Sequence, residues 1–244
     1  MNPQIESTLF ALQKRHITGL FAEDPREAKE KILSLIPKEA VVGMGDSTAN
    51  RQIGVLSALR ERGTKVLNPF EPKEPDMDVE DFWQWRGKIV KEATLCDVFL
   101  TGTNAITEDG RLVNVDATGN RVAGMFWGHP LSIIVVGRNK IVRDLDEAFT
   151  RIRTIIAPNH FRIRTEKGGR KRQTPCEATG QCNDCRAEGR GCNIFTIIEG
   201  KPGVTDLHVV LIDQDLGLGW DPSWPAERIE KIRENYTKSV WIPL

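Results

Sequence analysis

Apolar positions recur along this chain with two periods. Ile5, Leu9, Phe10 and Leu12 fall on one side of a short helix predicted over 5–14. Ala28, Ile32, Leu33 and Ile36 repeat that spacing after Asp24-Pro25, a pair that favours a helix start, and Pro37 closes the segment. Continuous apolar runs of strand length then appear at 40–42, 65–67, 97–100, 131–136, 194–198 and 207–212. Helical spacing returns between them, over 49–62, 79–93, 144–156 and 225–235. Strands that alternate with helices predict an α/β fold with a mostly parallel sheet flanked by helices. The Pro- and acid-rich run 69–78 reads as a surface connection, and the two tryptophans at 83 and 85 as packing.

Polar residues interrupt this pattern in two places. The turn Gly43-Met44-Gly45-Asp46-Ser47-Thr48 joins a buried strand to a helix. Such a turn lets a ligand approach the backbone and aims N–H groups at it, although Asp, Ser and Thr are also good helix caps. The second place is 101–140. Its hairpin turn is Glu108-Asp109-Gly110, where Asp-Gly predicts positive φ at both central residues. Asn104, Glu108, Asn114, Asp116, Asn120 and Arg121 crowd among apolar neighbours there. Polar groups near buried strand ends are paired or functional, and residue types alone leave turn scaffold and site equally open. His129, beside Pro130, reads as structural, and His160 and His208 are weaker site candidates still.

The totals narrow the class. The 244 residues suffice for one α/β domain with an appendage. The order suggests N-terminal helices at 1–38, a core at 39–160, a cysteine-rich loop at 161–193, and returning strands with a tail helix at 194–244. Lys+Arg and Asp+Glu are both 34, so no global basic field points to nucleic acid. No apolar run reaches membrane-spanning length, and the first residues lack a secretory pattern, so the expectation is a cytoplasmic protein.

Four of the five cysteines lie within one short stretch. Cys176, Cys182, Cys185 and Cys192 have the spacing C-x5-C-x2-C-x6-C. In a reducing compartment such a group reads as metal-binding rather than disulfide-forming. Four thiolates suit a tetrahedral zinc or an iron–sulfur cluster, and the spacing matches no standard ribbon or ferredoxin pattern. The basic run before it, including Arg162, Arg164, Lys167, Arg170, Lys171 and Arg172, reads as a solvated linker. Cys96, at the head of a strand, reads as a small core residue.

The stretches NAITEDGRLVNVDATGNRVA and VVGRNKIVRDLDEAFTRIRTIIAPNH resemble the LUD-domain family, which contains lactate-utilisation proteins. The turn GMGDSTA also resembles the phosphate loop of ribose-phosphate isomerases, and stands where LUD proteins carry a Gly-Gly-Ser turn. The resemblance implies an isomerase/CoA-transferase-like fold. It also implies a 4Fe–4S cluster on the four cysteines, with zinc as the alternative. The implied activity is oxidation or conversion of a small hydroxy or keto acid, together with iron–sulfur oxidoreductase partner subunits or a second copy of the chain. Gly43, Gly45, Asp46, Ser47, Thr48, Asn104, Asn114 and Asn120 would line the substrate site. Arg121 and Lys140 would hold a carboxylate or phosphate. Related isomerases carry an acid where this chain reads Gly102-Thr103-Asn104, and an amide is no general base. The acid/base role therefore passes to Asp116 or Glu108. The alternative function is an independent isomerase or lyase for a sugar-derived or carboxylic acid, with a structural metal centre; a third is a non-catalytic, metabolite-binding subunit.

Overall fold

The computed structural model describes residues 2–169 and 172–242, so Arg170 and Lys171 of the basic linker lie outside the described residues. Six strands form a wholly parallel sheet: β1 (Thr18–Ala22), β2 (Val41–Met44), β3 (Lys65–Leu67), β4 (Val98–Gly102), β7 (Leu131–Gly137) and β10 (Asp206–Ile212), in the order β1-β10-β7-β4-β2-β3. Its central strands are apolar throughout because helices and a second sheet cover both faces. The strand period of two sorts their side chains. Val42, Leu100, Ile133 and Val210 share one core with Ala28 and Ile32 of α2 (Pro25–Leu35). Ile134, Val209 and Leu211 point the other way, onto Ile5 and Leu12 of α1 (Pro3–Lys14).

The second sheet is mixed, with order β8-β5-β6-β9, from β5 (Ala105–Thr107), β6 (Leu112–Asp116), β8 (Ile141–Val142) and β9 (Ile194–Ile198). Ile106 and Leu112 face the main sheet. Ala105 and Val113 face a third core with Ile152 and Tyr236.

Three local features depart from the pattern reading. The first 38 residues are not helices alone: β1 docks on β10 at the sheet edge. The helix expected over 49–62 is two, α3 (Thr48–Gln52) and α4 (Val55–Glu61), broken at Gly54, whose φ of +68° the glycine permits. In the β5–β6 hairpin only Gly110 takes positive φ, +87°, and Asp109 does not. A Thr107-to-Gly110 turn, with Gly110 N–H donating to Thr107 O at 2.8 Å, closes the loop with one left-handed residue instead of two.

Two further helices shape the region described next: α5 (Val79–Ala93) and α6 (Asn120–Phe126). Residues 145–166 form one continuous helical run: α7 (Leu145–Arg151), a π-turn over Ile152–Ile156, and α8 (Ala157–Glu166). Pro158 sits just past the π-turn, where the widened ladder accommodates a residue without an N–H. A short helix, α9 (Pro175–Thr179), opens the cysteine loop, and α10 (Ala226–Ser239) ends the described chain. No helix among the described residues is long and apolar enough to cross a membrane.

Candidate functional site

A cavity of about 1080 Å³ opens at the carboxyl ends of the parallel strands, where open α/β sheets place ligands. Its floor is Asp46, Ser47 and Thr48 after β2, Gly102, Thr103 and Asn104 at β4, Gly137 at β7, and Leu216, Gly217 and Leu218 after β10. The second sheet adds Asp116, α6 adds Asn120 and Arg121, and the turn after β7 adds Lys140.

Thus Asp46, Ser47, Thr48, Asn104, Asp116, Asn120, Arg121 and Lys140 share one cavity. Gly43, Gly45, Asn114 and Glu108 are not on its wall. A Cβ on Gly43 would lie 2.1 Å from the Ala93 carbonyl, and one on Gly45 2.5 Å from Thr101 Oγ1. Both glycines therefore serve close packing. Asn114 lies fully buried behind the wall. Glu108 accepts from Gln4 Nε2 at 2.8 Å, at the far side of the hairpin.

Arg121 is the centre of a saturated polar node. Its Nη1 donates to Gly102 O at 3.0 Å and Asn114 Oδ1 at 2.8 Å, and its Nη2 to Asn104 Oδ1 at 2.9 Å and Val115 O at 2.8 Å. Its Nε stands 3.6 Å from Asp116 Oδ2. Asp116 is equally committed. It accepts from the Thr118, Gly119 and Val122 backbone N–H groups at 3.0, 2.9 and 3.3 Å, so it caps α6. Asp46 is paired as well. Burial opposes its charge, but Arg51 at 2.5 Å holds its carboxyl below the usual range.

Lys140 is different. Its Nζ donates to Leu218 O, and no carboxylate among the described residues lies within ion-pair distance. Burial, then the nearby Arg121 and Arg151, bring its ammonium down to about 7.

The remaining wall comes from helices distant in sequence. His160 Nδ1 and the Tyr236 hydroxyl are 2.6 Å apart. Burial, with Arg164 next, takes His160 down to about 3, and burial pushes the Tyr236 phenol up. Arg86 lies among Phe70, Trp83 and Trp241, its guanidinium 5.5, 5.5 and 5.1 Å from their rings. Arg86 Nε is buried without a hydrogen-bond partner among the described residues. Arg86, Arg121, Arg164 and Arg172 outnumber Asp46, Asp116 and Glu188 on the described wall even without Lys140, a balance that favours an anionic ligand. Sequence reasoning missed Arg86, Arg164, Tyr236 and Trp241. The one available signal was helical spacing, which puts His160 and Arg164 on one face of α8 and Arg86 one turn from Trp83 and Phe82 on α5.

All four loop cysteines line a second, small cavity of about 20 Å³ with Thr174, Phe161 and Ala157. Cys176 is buried, and burial together with the other three cysteines pushes the Cys192 thiol up to about 11. No group of three or more His, Cys, Asp or Glu among the described residues is arranged to hold a metal ion. The donors nevertheless border one space, and the chemistry of four thiols fits a soft cation. The two cavities share a wall: Ala157, Phe161, Gly191 and Cys192 border both.

A family model of the LUD domain matches residues 5–212. The crystal structure of a DUF162 family protein from Deinococcus radiodurans is similar at 14% identity, covering 86% of this chain and 94% of that chain with a TM-score of 0.44. A comparison with curated proteins finds no match.

Proposed function

The chain belongs to the LUD-domain family, and from that premise we propose that it is an iron–sulfur protein that oxidises or converts a small hydroxy or keto acid. The observation that carries this reading is the shared wall. A cavity biased toward anions abuts a pocket bordered by four thiols, with Cys192 on both sides. Cys176, Cys182, Cys185 and Cys192 would hold the cluster. Bound there, it supplies one-electron transfer. The protein's own contributions are separate. Arg86 and Arg164 draw the substrate carboxylate toward the aromatic end of the cavity. The saturated Arg121–Asp116 node keeps α6 and β6 at a fixed distance, so Asp116 acts as a positioning group. Lys140 and the His160–Tyr236 pair are the groups free to exchange protons with a bound acid. Iron–sulfur partner subunits would accept the electrons.

The test is protein purified without oxygen. Broad visible absorption with about four irons per chain, bleached when lactate is added without an electron acceptor and restored when one is supplied, supports the reading. Colourless protein that holds no iron after reconstitution overturns it.

One observation favours a second reading. About 20 Å³ holds a single ion, and a cluster requires the cysteine loop to move outward. A zinc ion there would be structural, and the chain would be an isomerase or lyase working through Lys140, His160 and Tyr236. Turnover of a carboxylic acid without any electron acceptor separates this reading from the first.

A further inference from the structure

We infer that Lys140 is a nucleophile: its ε-amine condenses with the ketone of a 2-keto acid held in the cavity. This rests on the reading of the cavity as a keto-acid site and adds a covalent step to it.

The geometry around the side chain supports an amine rather than an ammonium. Lys140 leaves the turn after β7 and is 8% exposed, yet it lines the large cavity. The strand-to-tail loop wraps its stem. A Cβ on Gly217 would stand 3.2 Å from Lys140 Cε and 3.4 Å from Nζ, and Gly217 and Gly219 take φ of +68° and +144°. Glycine at both places leaves the lysine room to lie flat against the loop backbone. Its one described hydrogen bond goes to a neutral carbonyl, that of Leu218. The charges that act on it, Arg121 on α6 and Arg151 on α7, are both positive. Arg121 is itself spent on four oxygen acceptors and the Asp116 carboxylate, and Arg151 on Asn139 O, Ile141 O, Glu147 and Asp221. An ammonium buried beside two cations with no carboxylate partner is the costly state, and losing the proton relieves it. A neutral amine that donates one N–H to Leu218 keeps its lone pair for an electrophile. Desolvated lysines of this kind serve as Schiff-base nucleophiles.

The step balances without an outside oxidant. The amine lone pair forms the N–C bond to the ketone carbon as the C=O π pair moves to oxygen. A proton passes from nitrogen to that oxygen, giving a carbinolamine. The hydroxyl then takes a second proton and leaves as water, and the nitrogen lone pair forms the C=N bond. The His160–Tyr236 pair borders the same cavity and would relay these protons. The protonated imine withdraws electrons from the adjacent carbon, which suits proton abstraction or decarboxylation there. A clamp for carboxylate would need a charged lysine, and this surrounding disfavours one.

The full-length chain is incubated with pyruvate and sodium cyanoborohydride, digested, and mapped by mass spectrometry. Binding is followed in parallel through the fluorescence of Trp83 and Trp241, which line the cavity. The expected result is one reduced pyruvyl adduct on Lys140, lost in Lys140→Met. The wild-type peptide map locates the adduct even if that variant fails to fold. Saturable binding with no adduct, or adducts spread over surface lysines, overturns the nucleophile and leaves the keto-acid cavity standing. Neither binding nor adduct overturns both.

Discussion

Two polar clusters reach the large cavity of this protein, one through Arg121 and one through Cys192, and they are built on opposite principles. Around Arg121, four oxygen acceptors and the Asp116 carboxylate meet one guanidinium, and Asp116 is filled by three backbone N–H groups. Around Cys192, four thiols of the same kind border one space, and burial together with the other three makes the Cys192 thiol harder to ionise. The first cluster pairs its charges inside the fold, and leaves Asn114 Nδ2 without a hydrogen-bond partner among the described residues. The second has donors of one sign and calls for a cation from outside. A polar group with all its partners inside the fold is scaffold, however close it stands to a cavity. A polar group left short of partners is where an added ligand gains most. Lys140 belongs with the second kind although it is a neighbour of the first.

The contrast can be broken at several points. Arg121→Ala should cost most, about 3–5 kcal/mol, because it strands a carboxylate and two carbonyls in the interior. Urea unfolding measures this, and a loss below about 1 kcal/mol would mean the node is not closed. Cys176→Ser should abolish metal binding while the metal-free chain keeps its melting temperature. The metal-dependent stabilisation of the wild type, about 3 kcal/mol at a hundredfold excess over Kd, should vanish. If Cys176→Ser still binds metal stoichiometrically, the ligand set is wrong.

His160 gives a pH test. Its folded value is about 3, below the ordinary value of 6.5. Between these limits the unfolded chain takes up a proton that the folded chain refuses. Stability is therefore full above pH 6.5 and falls as pH drops toward 3, by roughly 2 kcal/mol near the middle of that window. His160→Gln should flatten this slope in thermal melts across the window. The groups that face His160 are Tyr236, Arg164, Arg172, Arg51 and Asp46; Asp46 is held below its ordinary value of 3.8 and titrates under most of this window, so a slope unchanged in the variant would mean that His160 does not carry the titration. Glu108→Gln should do least, within about 0.5 kcal/mol, and should leave ligand binding intact. A large loss of binding would bring the hairpin back into the site.

The fold was legible where burial was two-sided. Ile133 to Val136 and Leu207 to Ile212 read as strands because no face of them meets water. β1 was missed because Gly19 and Ala22 are weak strand formers, and an edge strand is made by its partner more than by its own residues. The cavity was half legible. Asn104, Asp116, Arg121 and Lys140 stand close in one stretch, so local crowding revealed them. That same crowding could not separate the saturated Arg121 from the buried Lys140, which has no carboxylate partner among the described residues, since both read as cations for an anion. Arg86, Arg164 and Tyr236 arrive on three helices remote in sequence, and a polar helix face reads as solvated until its neighbours are known. The cysteines were legible from spacing alone, but the wall they share with the large cavity was not.

The π-turn at Ile152–Ile156 has a consequence for how this protein could have arisen and how it can be edited. A π-turn is a helix carrying one residue too many, held within a single turn. The extra residue is absorbed locally, so deleting one residue there should restore an ordinary helix and leave His160, Phe161 and Arg164 on their present face. A deletion between the π-turn and His160, in the regular ladder of α8, has no such slack and would turn those side chains by about 100° out of the cavity wall. The helix can thus lose a codon at the π-turn and keep both cavities, but not one a few residues later.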